Sequence, residues 1–224
     1  MMNVGFVLPN ESVLGSVKTE ARKAKIIRSR WNPFFFDGID YNNFFGIDDV
    51  APEINEQVLL AAREVTEDPF VFYPNPDIHL GILEAIMEKN YHPIEIQGGL
   101  LRQGVRDMLK REKIETGWYA SNCCVHHLGL TYDEHVSKSH DMDTRLINAV
   151  EAINRLVLYF LKNSRFPSDS GVIRTSTRGT ITCEYGEFQV ELGVAVFRDR
   201  VQVLPYTVSE PKMGIITFKK LFIE

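Results

Sequence analysis

Residues 143–162 read Asp143-Thr-Arg-Leu-Ile-Asn-Ala-Val-Glu-Ala-Ile-Asn-Arg-Leu-Val-Leu-Tyr-Phe-Leu-Lys162. Leu146, Val150, Ile153, Val157 and Phe160 recur at steps of four, three, four and three, the spacing of one face of an α-helix. Ile147, Leu156, Leu158 and Leu161 carry the apolar surface well round the cylinder, so this helix has no wide face to turn to water and is expected to be the spine of the fold. Asp143 reads as its N-cap, and Asn163 with Pro167 as its end.

Beyond Pro167 the period changes from 3.6 to 2. Phe188, Val190, Leu192, Val194 and Val196 alternate with Glu187, Gln189, Glu191, Gly193 and Ala195, which predicts a strand with the first set inward and Glu187, Gln189 and Glu191 on a solvated face. Shorter β-rich runs at 172–175, 180–185, 201–204 and 214–223, with turns at Gly179, Gly186 and Arg198-Asp199-Arg200, complete an antiparallel meander of four or five strands.

Upstream the elements are mainly helical. Residues 52–65 place Ile54, Val58, Ala61, Ala62 and Val65 on one face; Asn75-Pro76-Asp77 has the composition of a helix start; a short strand at 94–97 leads into a helix over 100–111. No period holds from 113 to 139. Strands gathered after helices predict an α+β fold and argue against a doubly wound nucleotide fold. The expected organisation is an N-terminal helical region, 1–165, whose one long central helix packs on a C-terminal antiparallel β region, 166–224, the two forming one compact domain.

With 224 residues, 44% hydrophobic and 25% charged, the composition is that of a globular chain and excludes disorder and collagen. Three cysteines, Cys123, Cys124 and Cys183, allow no regular disulfide framework and favour a reducing compartment. No apolar run approaches the roughly 20 residues of a membrane span, and residues 1–9 lack the basic start and small-residue cleavage site of a signal peptide. The expected location is cytoplasmic or a virion.

Charge is unevenly spread. Residues 11–30 hold six basic side chains, among them Lys23, Arg28 and Arg30, against two acidic ones, a net +4 on a basic amphipathic helix; residues 37–68 hold nine acidic and one basic, a net −8. Between them Trp31, Phe34, Phe35, Phe36, Tyr41, Phe44 and Phe45 crowd a segment that Pro33 and the lack of a period mark as an irregular loop. Rings so arranged cannot all turn one way, so these basic and aromatic residues are the expected interface. The basic stretch beside aromatics also fits nucleic acid, but the acidic block that follows and the net charge of −5 favour a complementary protein surface.

The densest group of ligand-type side chains lies between 121 and 145. Cys124, His126, His135, His140 and Asp141 are the candidate ligands for zinc or manganese, the basis of an alternative reading as a metal-dependent hydrolase. Their spacing matches neither a two-knuckle zinc site nor two histidines flanking a Glu on a helix. The His140-Asp141 dipeptide superficially resembles that of HD-type metal phosphohydrolases, which are all-helical and need further ligands, so no role is carried over. A Cys123 or Cys124 nucleophile would need a base such as His126 or His127. Gly-x-Ser-x-Gly, Walker A and Gly-x-Gly-x-x-Gly patterns are absent. The reading that remains is a non-enzymatic structural subunit, without cofactor, that joins copies of itself or other subunits in an assembly such as a phage-type virion tail or head-tail connector.

Overall fold

The computed structural model describes residues 35–47, 56–66, 69–75, 77–142, 144–167, 171–207 and 213–221. All fall in one of the two units into which the chain divides, Phe34–Glu224. In chain order the elements are β1 (Phe35–Phe36), α1 (Gly38–Phe45), α2 (Glu56–Val65), β2 (Phe70–Phe72), α3 (Leu80–Lys89), β3 (Ile94–Ile96), a 3-10 turn (Gly99–Leu101), α4 (Arg102–Arg111), β4 (Trp118–Ser121), α5 (Tyr132–Asp141), α6 (Ala149–Asn163), β5 (Val172–Cys183), β6 (Gly186–Phe197), β7 (Arg200–Tyr206), β8 (Met213–Gly214) and β9 (Phe218–Leu221).

The fold is α+β, with two mixed sheets. One has the order β1-β2-β4-β9 and the other β3-β7-β6-β5-β8. Of the expected four- or five-stranded meander three strands form, the antiparallel run β5-β6-β7, to which β3 and β8 add parallel edges; the runs at 172–175 and 180–185 are the single strand β5, and the last run supplies β9 to the other sheet. Helix α6 packs against β1 and β2 of the first sheet, β5, β6 and β7 of the second, and α3. Contact with both sheets is why its apolar residues run all round, and all its residues from Ala149 to Leu161 are buried.

Helix α6 is shorter than its sequence pattern. It begins at Ala149, with Asn148 as cap, and Asp143 lies outside the described residues. Asn148 Oδ1 accepts from the Glu151 amide at 2.8 Å while Glu151 Oε2 accepts from the Asn148 amide at 3.0 Å, a closed capping box. Residues 144–148 are not helical, and the Ile147 carbonyl accepts from the Ser176 amide of β5. A similar delay occurs at α3. Asn75 Oδ1 accepts from the Asp77 amide at 2.8 Å in a turn, and the helix starts three residues after Asp77, with His79 Nδ1 accepting from Gly81.

Two other expectations change. The patternless stretch 113–139 holds β4 and α5; four-residue β4 is buried throughout and too short for a period. Gly179 is not a turn: β5 runs on from Val172 to Cys183, with its register to β6 shifted between Arg174 and Arg178. The absent Cβ elsewhere serves packing, since one on Gly104 of α4 would lie 2.3 Å from Ile181, which draws α4 down onto β5. The turn at Arg198-Asp199 forms as expected, both residues having left-handed φ of 49° and 61°.

In β6 Val190, Leu192 and Val194 are buried and Phe188 and Val196 pack partly against the core, while Glu187 and Gln189 are exposed. Glu191 breaks the expected pattern. It is 7% exposed, because from 190 to 195 both faces of the strand are covered, and it is tolerated there by Arg174 of β5.

Candidate functional site

The aromatic segment turns inward. What reads as a loop is β1 followed by α1, capped by Asp37 in a box with Asp40. Phe35, Phe36 and Tyr41 are 5%, 0% and 0% exposed, so they belong to the core rather than to an open patch. Phe36 meets Tyr41 edge-on at 4.9 Å and stacks on Phe44 at 5.8 Å, leaving Phe44 at the rim and Phe45 half-buried. Asp40, also buried, accepts from Lys162 Nζ at 2.8 Å through both oxygens and ties α1 to the end of α6. Lys23, Arg28, Arg30, Trp31 and Phe34 lie outside the described residues.

The candidate metal ligands do not converge. His135 and Ser139 occupy the inward face of α5, whereas His140 and Asp141 at its end are exposed. The His135 ring is fully buried and its Nε2 donates to the His127 carbonyl at 2.6 Å, so burial and the neighbouring Arg174 charge hold it below the usual histidine pKa and neutral. Asn122 engages His126 through its side-chain amide, and Cys124 is exposed. Among the described residues no three His, Cys, Asp or Glu side chains come together as a metal site.

Two surface features remain, each resting on core residues, Ile181 and Val190 under the first and Leu109 and Val150 under the second. The first is the far end of the β5–β6 hairpin. Strand β7 pairs with β6 only from Glu191 onward and β8 pairs with β5 only at Val172 and Ile173, while β5 and β6 pair with each other for five further positions, from Gly179/Val190 to Cys183/Gly186. This ribbon outruns its sheet by about 17 Å at the ordinary rise of an antiparallel strand. Among the described residues no strand pairs with its two outer edges. Glu184, Tyr185 and Glu187 are exposed at its tip, Tyr185 by 67%, and residues 179–190 contain no basic side chain.

The second feature is a cleft of about 570 Å³ between α3, α4 and the segment after α4. Ile78, Leu109 and Val150 line its apolar part. Arg106, Lys110 and Lys113 stand in it against Glu84 and Glu112. Arg106 is occupied by Glu84, which it grips through two bonds of 2.9 and 3.2 Å. Burial pushes the Glu112 carboxyl above its usual pKa. Lys110 keeps only an exposed contact of 3.8 Å with Asp107, so the cleft presents net positive charge beside an apolar floor.

Neither feature is visible in the spacing of residues. The ribbon depends on where its neighbours stop, and the cleft on the packing of α3 against α4. No protein-family model, curated protein or solved structure matches the chain.

Proposed function

We propose that this chain is a non-enzymatic subunit of a larger assembly and that copies join by seating the β5–β6 ribbon of one in the α3–α4 cleft of the next. The ribbon carries the reading: five residue pairs of hairpin beyond the sheet are a liability for a solitary protein, because open strand edges invite pairing. Its tip is complementary to the cleft. Glu184 and Glu187 oppose Lys110 and Lys113, and the Tyr185 ring matches the apolar floor lined by Ile78, Leu109 and Val150. A cleft of about 570 Å³ has the volume of a small-ligand site, ample for one aromatic side chain. Because donor and acceptor surfaces differ, the contact is head-to-tail and builds rings or filaments, the geometry of a virion tail or connector.

Charge exchange tests the pairing. Glu184→Lys with Glu187→Lys should abolish self-association, as should Lys110→Glu with Lys113→Glu, whereas an equimolar mixture of the two variants should associate again. Failure of the mixture to associate, or self-association of either variant at the wild-type level, overturns the ribbon-to-cleft contact.

A further inference from the structure

We propose that the cleft between the start of α5 and the β5-β6-β7 face binds a free α-amino acid, whose carboxylate meets Arg178 and whose ammonium meets Glu191 and Asp133. The argument starts from strand register. Arg178 of β5, Glu191 of β6 and Tyr206 of β7 are direct cross-strand partners, which sets the three side chains in one row on one face of the sheet. From Arg174 to Arg178 β5 advances four residues while β6 advances only two, from Gly193 to Glu191, so Arg174 stands on that face as well. Two arginines are thus within reach of Glu191, and it pairs with the buried one, Arg174, at 3.0 Å through Oε1.

Arg178, the exposed one, is held elsewhere. Its guanidinium lies over the Tyr132 ring of α5, 4.0 Å from the centroid, and among the described residues it has no ion pair and no hydrogen bond. A guanidinium stacked on a ring keeps its N–H edge open, and that edge is the fork that grips a carboxylate through two parallel bonds. The space between the groups is a cleft of about 280 Å³, lined by Arg178, Glu191 and Tyr206 from the sheet and by Tyr132 and Asp133 from α5. Glu191 is 7% exposed, and its Oε2 accepts no hydrogen bond among the described residues. A buried carboxylate oxygen at the wall of a cleft calls for a donor. Asp133 is exposed and has no partner among the described residues either.

Charge decides the chemistry of the ligand. A dianion such as phosphate would meet Arg178 but also two carboxylates, and a simple amine would meet the carboxylates beside two guanidiniums. A molecule with both an ammonium and a carboxylate satisfies every open group, and the Tyr206 ring offers its side chain an apolar surface. The volume falls below the usual range for a drug-sized ligand, which suits a molecule of this size. The cleft lies at the base of the β5–β6 ribbon and uses none of Glu184, Tyr185 and Glu187, so it does not rest on the contact between copies.

Saturation-transfer NMR of the full chain with each common L-amino acid at about 10 mM identifies the ligand, and calorimetric titration then measures it. At least one should bind with Kd below about 1 mM. Its carboxamide and its N-acetyl derivative, each lacking one of the two charges, should bind about tenfold more weakly or worse. Arg178→Gln and Asp133→Asn should each weaken the parent amino acid about tenfold, the effect of one hydrogen bond to a charged group. Absence of binding by every amino acid at about 10 mM overturns the proposal, as does either derivative binding with the parent's affinity, or an unchanged affinity in either folded variant. Both substituted residues are exposed, and should a variant fail to fold, the two derivatives decide on the wild-type chain.

Discussion

Arg174 of β5 and Glu191 of β6 face each other across the hairpin, Nε to Oε1 at 3.0 Å, the guanidinium with no exposure and the carboxylate with 9%. Burial pushes the Glu191 carboxyl upward against the pull of Arg174 and Arg178, so the pair sits where desolvation and Coulomb attraction are both large. Removing one partner strands the other. Glu191→Ala should cost about 3–5 kcal/mol, whereas Arg174→Met combined with Glu191→Leu should restore most of it. Denaturant titration measures both, and a single-variant loss under about 1 kcal/mol would contradict the buried-pair account.

His135 makes stability depend on pH. Its folded pKa lies below the usual value of 6.5, first through burial and also through Arg174, while its hydrogen bond to His127 works in the opposite direction. A base with a lowered folded pKa binds more protons when unfolded, so its contribution is present above about pH 6.5 and is lost as the pH falls through that value. Urea midpoints should therefore drop between pH 7 and pH 5, and His135→Gln, though less stable at pH 7, should show a shallower drop. Equal slopes in the two proteins would contradict this role.

The apolar surface of α6 is buried between two sheets, and Ile153 and Val157 have no exposure. Ile153→Ala should cost about 2–5 kcal/mol and Ile153→Val about 0.5–1.5 kcal/mol, the range for deleting buried methyl groups. A loss in Ile153→Ala within the roughly 0.5 kcal/mol scatter of surface substitutions would place that residue outside the core.

At the start of α6, Asn148→Ala removes the acceptor of the Glu151 amide and should cost about 1 kcal/mol. Glu151 also holds Arg145 through contacts of 2.8 and 2.5 Å, which pushes the arginine pKa further upward. Glu151→Gln should consequently destabilise more than Asn148→Ala in the same thermal denaturation series. The reverse order would mean that the cap outweighs the ion pair.

Legibility in the sequence followed the length of each element. α6 could be read because a helix covered on every side leaves a dense apolar record, yet its start was displaced to Asp143, since Asn148 looks like an interior residue until its box with Glu151 is seen. β2 and β4, with three and four residues, are too short for alternation, so the first sheet was hidden. β6 could be read except at Glu191, whose surroundings depend on what covers the second face. The burial of Phe35, Phe36 and Tyr41 is not legible, because an aromatic cluster without a period reads alike in a loop and in a strand-helix corner. The ribbon tip and the cleft cations depend on contacts between elements far apart in the chain.

The central claim is self-association, and light scattering of the purified wild-type chain tests it most directly. At tens of micromolar and low salt the weight-average mass should exceed the 25.7 kDa of one chain and rise with concentration. Salt should lower it in part, as screening shortens from about 10 Å at 0.1 M to about 3 Å at 1 M, while the apolar seat of Tyr185 persists. A monodisperse mass of 25.7 kDa at every concentration and salt would contradict the account.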